Sequence, residues 1–175
     1  CANGCQFAFS KACSLEKASP ANEAEFRAWL KPGVPICIMI HGSYFPAADV
    51  AADCGQAVRW LRKGSPNVQY LCFTWPSEGI FTIQPGIAVS SLMPAVDVAI
   101  LGKRAELNGI RLANFIQSLP ASCPVSIVAH SHGARISASA LHLLGGGTVR
   151  QTTLRHFQQR RIRAVMVAAA IDHDW

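Results

Sequence analysis

Four short apolar runs, each ending in an abrupt polar stop, constrain this chain more than any other feature. They read VPICIMIHG from Val34, NVQYLCFTWPS from Asn67, CPVSIVAH from Cys123 and IRAVMVAAAID from Ile162. Near-continuous apolar runs of this length fit strands covered on both faces, the pattern of a parallel sheet.

Helical signals fall between them. Ser19-Pro20 predicts a helix start, with Ser19 as cap and Pro20 at the first helical position. Phe26, Trp29 and Leu30 give it one apolar face, and Pro32-Gly33 ends it. Val50, Cys54, Val58 and Leu61 recur at helical spacing, with Arg59, Arg62 and Lys63 in the last turn. Residues 97–119 read as a long helix with Leu112, Phe115, Ile116 and Leu119 inward. The small-residue stretch 132–144 reads as another helix, closed by Gly145-Gly146-Gly147.

Strand and helix therefore alternate, which predicts the α/β class with a mostly parallel, doubly wound sheet. Such sheets bind ligands beyond the C-terminal ends of their strands. His41-Gly42, Trp75-Pro76, His130-Ser131 and Asp172 all fall at those ends.

A chain of 175 residues, half hydrophobic and 15% charged, is expected to be one globular domain. Residues 1–18 show no clear pattern, so the domain is expected over 19–175. The net charge of +6 is moderate and no nucleic-acid recognition module is visible, so no nucleic-acid partner is expected. The apolar region 79–101 is broken by Pro85, Gly86, Pro94 and Asp97, against a membrane span. It reads as a cap or as core packing. Cys37, Cys54 and Cys72 lie on apolar elements and read as small core residues. Cys1, Cys5 and Cys13 lack the paired spacing of a zinc site. The chain begins at Cys1 rather than Met, so the native start is expected upstream; a cytoplasmic location is the default, with a removed leader as the alternative.

The sharpest motif is VAHSHGA, residues 128–134. Ser131 stands where a buried strand turns directly into a helix. A serine on so tight a turn is lifted clear of the sheet at the positive end of the helix, and the residues two before and two after it must be small. Ala129 and Gly133 meet that demand. Two other readings compete: a serine that only caps the helix, and a metal site on His130 and His132. The metal reading lacks further ligands nearby, so no metal and no cofactor are expected. His130 is expected to pack beside the turn and His132 to contribute mainly its backbone N–H. With Ser43, from the His41-Gly42-Ser43-Tyr44 turn, His132 would form an oxyanion hole of two N–H donors.

Together IMIHGSY, YLCFTWPSEG, VAHSHGAR and VMVAAAIDHDW, in that order, resemble the α/β-hydrolase superfamily, and a bacterial branch of serine hydrolases within it. The resemblance runs from about residue 24 onward. It implies a serine–acid–histidine triad acting on an ester, thioester or amide, most members being esterase- or lipase-like. The partner it implies is a small-molecule or lipid-like acyl ester. Asp172 is the first residue past the expected last strand and is the implied acid, with Asp174 as alternative. The superfamily's histidine follows further strands, whereas only His156 and His173 remain here after the serine helix. His156 lies in a basic run expected at the surface, and His173 stands only two residues past the strand. The expectation is therefore an α/β-hydrolase-type sheet missing its last strands, and a weak catalyst in isolation. A non-catalytic binding module of the same fold, or an acyltransferase using Ser131, are the alternatives.

Overall fold

The computed structural model describes residues 7–9, 19–21, 23–45, 47–79, 92–155 and 160–171. Phe7–Phe9 (β1) and Ser19–Ala21 (β2) pair antiparallel, with Phe7 opposite Ala21. The helix expected from Ser19 therefore starts later, at Glu23–Trp29 (α1). A residue before proline is driven toward extended backbone, which serves a cap and a strand alike, and the pairing of Ser19 with Phe9 makes it a strand. The acidic pair Glu23 and Glu25 marks the true first turn, where carboxylates favour the helix dipole.

Ile36–Ile40 (β3), Gln69–Phe73 (β4), Val125–His130 (β5) and Ile162–Val167 (β6) form one parallel sheet in the order β4-β3-β5-β6. The helices between are Ala47–Gly64 (α2), Leu92–Ser118 (α3) and His132–Leu144 (α4). The α/β class read from the sequence is the class observed. α3 begins five residues before the expected Asp97, with Pro94 in its first turn, where no N–H is needed for the helix ladder.

β3 is wholly buried because it is central and covered on both faces. Ile36, Ile38 and Ile40 join Phe26, Leu101, Leu112, Ile116, Ile127 and Ile136 in the main core. Cys37 and Met39 point the other way, as strand alternation requires. On that second face Cys72, opposite Met39, meets the thiol of Cys54 from α2. Cys37 and Cys54 are buried and Cys72 is half-buried, as their apolar surroundings implied.

The small residues of α4 let α3 approach closely. A Cβ on Gly109 would lie 3.0 Å from the Ile136 carbonyl and overlap Ser139. The buried hydroxyls of Ser137 and Ser139 donate back to the Gly133 and Arg135 carbonyls, at 3.0 and 2.9 Å. Polar groups thus enter the core without being left unsatisfied.

In register, Ile40 sits between Phe73 and Ala129, and His130 pairs with Val167. His41-Gly42, Trp75 and Ser131 consequently emerge at one edge of the sheet. β6 stops at Val167, and Ala168 turns at φ 45°, so the last strand is shorter than its apolar run. Asp172 is not the first residue past it.

Candidate active site

Ser131 joins β5 to α4 with φ 53° and ψ −123°. A residue bearing a Cβ rarely adopts this backbone, at a cost of about 1–3 kcal/mol unless its surroundings impose it. Here three main-chain bonds do so. The Ser131 N–H donates to the Val167 carbonyl at 3.0 Å, and its own carbonyl accepts from Ala134 at 2.9 Å and Ala170 at 3.2 Å. The side chain makes no capping hydrogen bond to the helix. That disposes of the serine as a mere cap, since a capping hydroxyl accepts from the first-turn N–H groups.

Both flanking glycines act by lacking a side chain. A Cβ on Gly133 would lie 2.7 Å from the carbonyl oxygens of both Ile40 and His41, so the start of α4 can nestle against the end of β3. A Cβ on Gly42 would lie 2.8 Å from His130 Nδ1 and 3.1 Å from Ser131 Cβ. The loop after β3 thus touches the serine directly.

His132 does more than supply an N–H. Its buried ring shares a 2.5 Å hydrogen bond between Nδ1 and Ser43 Oγ. The ring also lies near the Val98 carbonyl of α3, which favours its charged form. Burial, and then the Arg135 charge, hold the imidazole below its usual pKa despite the Val98 carbonyl. The neutral ring therefore ties the loop after β3 to the start of α4. Neither the Ser43 nor the His132 N–H has a main-chain acceptor among the described residues. Donors left open beside a helix N-terminus can stabilise a developing oxyanion.

The FTWPS motif braces that loop. Trp75 stacks on His41 with ring centroids 5.9 Å apart. Its indole N–H donates to the His41 carbonyl at 3.0 Å, and its main-chain N–H donates to His41 Nε2 at 3.3 Å. His41 Nδ1 then carries the hydrogen and donates to the Gly42 carbonyl at 2.9 Å. Burial depresses the His41 pKa, the Gly42 carbonyl and Asp53 opposing it. Ser77 completes the brace: its carbonyl accepts from Tyr44 N–H at 2.7 Å, and its hydroxyl donates to the Phe45 carbonyl at 3.0 Å.

Ser131, His132 and Ser43 therefore meet at one edge, with Gly42 between them. Asp172, Asp174, His156 and His173 lie outside the described residues. His130 is exposed rather than packed, although one side of its ring lies beside Gly42. The sequence reading missed the side-chain role of His132 and the burial of Asp97, whose carboxylate lies against Gly79. An isolated Asp in a helical run carries no signal of burial. Among the described residues no group of three metal-ligating side chains gathers, and no helix is long and apolar enough to cross a membrane.

No family model and no curated protein matches the chain. Among solved structures, the fold is similar to that in an iodinated complex of acetyl xylan esterase, at 15% sequence identity and a TM-score of 0.40. The match covers 80% of this chain and 64% of that one, so the chain spans less than two thirds of the length of that protein.

Proposed function

We propose that the chain carries the nucleophile and oxyanion donors of a serine hydrolase of the α/β-hydrolase type, acting on carboxylic esters. The observation that carries this reading is the strained, three-way-pinned backbone of Ser131 with its hydroxyl uncommitted to the helix. Strain held at one residue by its surroundings is characteristic of functional sites.

In this reading Ser131 Oγ attacks the ester carbonyl while a base takes its proton. Negative charge collects on the carbonyl oxygen, where the N–H groups of Ser43 and His132 receive it. Collapse expels the alcohol with that proton and leaves an acyl group on Ser131, which water then removes. Asp172 is the acid in this proposal, with Asp174 the alternative. His41 has both ring nitrogens engaged and His132 Nδ1 is held by Ser43, and in this reading the base is another histidine.

The test is a fluorophosphonate probe with intact-mass detection, beside hydrolysis of p-nitrophenyl acetate. In the full-length protein one label per molecule is expected, absent in Ser131→Ala, with turnover lowered about 10⁴-fold in the variant. A full-length protein that neither labels nor hydrolyses would overturn the proposal in favour of a binding module. Loss of turnover in His156→Ala or His173→Ala would identify the base within these residues.

A further inference from the structure

We propose that the N-terminal edge of the sheet, opposite Ser131, is a docking surface for the anionic headgroups of a membrane. In a parallel sheet every segment that enters a strand arrives at this edge. The four entering segments span residues 30–35, 58–68, 117–124 and 160–161. They contain Lys31, Arg59, Arg62, Lys63, Arg160 and Arg161 and not one Asp or Glu. Their six charges equal the formal +6 of the whole chain. The excess that looks moderate in the sequence is gathered at one pole by the topology.

The pole is built rather than loosely assembled. Lys31 N–H donates to Gln69 Oε1 at 2.7 Å, linking the entries to β3 and β4. The Cys123 thiol donates to the Lys31 carbonyl at 3.5 Å, bringing in the entry to β5. Arg160 donates to the Cys123 and Leu119 carbonyls at 3.2 and 2.8 Å, adding the entry to β6. Arg62 lies 5.9 Å from the centroid of the Tyr70 ring.

Helix-dipole complementarity accounts for Arg62 and Lys63 at the end of α2, but not for Lys31, Arg160 and Arg161 on two other segments. Nor does it account for Trp60, which is 67% exposed among them. An indole on a basic surface suits the lipid headgroup layer, where its apolar body and polar N–H are both accommodated. Nucleic acid would use the same charge, but a lone exposed indole offers no run of stacking rings for successive bases. Membrane docking here leaves the Ser131 edge facing away, and it stands independently of what Ser131 does.

The experiment is co-sedimentation of the full chain with vesicles of phosphatidylcholine, alone or with about 30 mol% phosphatidylglycerol, at low and at about 0.5 M salt. Binding to anionic vesicles at low salt is expected, at least about tenfold above neutral ones and lost at high salt. Arg62→Glu with Lys63→Glu should weaken it at least about tenfold. Trp60→Ala should weaken it too and abolish the vesicle-induced blue shift in fluorescence. Lys31→Glu with Arg161→Glu gives a second charge-reversed pair on other segments, and circular dichroism confirms folding of each. Equal binding to neutral vesicles, unchanged binding by both folded charge-reversed pairs, or binding to duplex DNA without binding to vesicles would overturn the proposal.

Discussion

Ser43 and His132, 89 positions apart in the chain, are joined by a 2.5 Å hydrogen bond between side chains. The bond locks together the two segments whose N–H groups are the proposed oxyanion donors. Ser43→Ala and His132→Asn should each lower kcat about tenfold with little change in KM, since both leave the main-chain donors in place but less well held. If the residues act through this one bond, the double variant should be no worse than the poorer single variant. Multiplicative losses in a double-mutant cycle would show independent roles.

Gly133→Ala tests the space beside β3. The added carbon would stand 2.7 Å from two carbonyl oxygens, and neither can swing away as a side chain would. Overpacking against backbone should cost about 1–3 kcal/mol or more, read as a lowered urea midpoint. A neutral result would mean that α4 can shift away from the sheet.

Gly42→Val is a softer insult to stability and a harder one to catalysis. Its Cβ would meet the His130 ring, which is exposed and can rotate, and also Ser131 Cβ at 3.1 Å. The variant should fold but lose roughly 10²-fold in kcat. Adding His130→Ala should recover stability and leave turnover low, because the contact with Ser131 remains. Recovery of both would place the defect at His130 instead.

Ser131→Gly should be more stable than the parent. Relief of about 1–3 kcal/mol of backbone strain outweighs the roughly 0.5–1 kcal/mol entropic cost of glycine. Thermal unfolding should move up by a few degrees while ester turnover disappears. A fall in Tm would show that φ 53° is comfortable for serine here.

Stability should decline as the solution is acidified. His41 and His132 are both held below their usual pKa by burial, so the unfolded chain takes up protons that the folded chain resists. The loss begins as pH falls through about 6.5, where free imidazoles titrate, and ends below the depressed folded values. Urea midpoints from pH 8 to pH 5 check this, and His132→Asn should shallow the slope. A midpoint that rises toward pH 5 would contradict the sign.

Much of this architecture was legible in the sequence because it follows from local pattern. Continuous apolar runs demand burial on both faces, and helical spacing of Val50 and Cys54, or of Leu112 and Ile116, demands an apolar stripe. The small residues around Ser131 could be read as a tight turn because a collision between neighbouring segments is a local matter. Ser19-Pro20 misled because its cap and strand readings depend on a partner, Phe7–Phe9, that no local pattern reveals. The end of β6 misled for a related reason: AAAI continues the apolar run, but the sheet offers it no further pairing past Val167.

The sequence by itself determined the alternation of strand and helix, the α/β class and the small-residue junction at Ser131, since sterics and periodicity act within a few residues. Tertiary structure alone decided that His132 would reach Ser43, that Trp75 would fix the tautomer of His41, and that six cations from three segments would share one edge. Those relationships join residues dozens of positions apart. Their meeting depends on strand order and register, which are settled by the burial of the whole sheet rather than by any one stretch of chain.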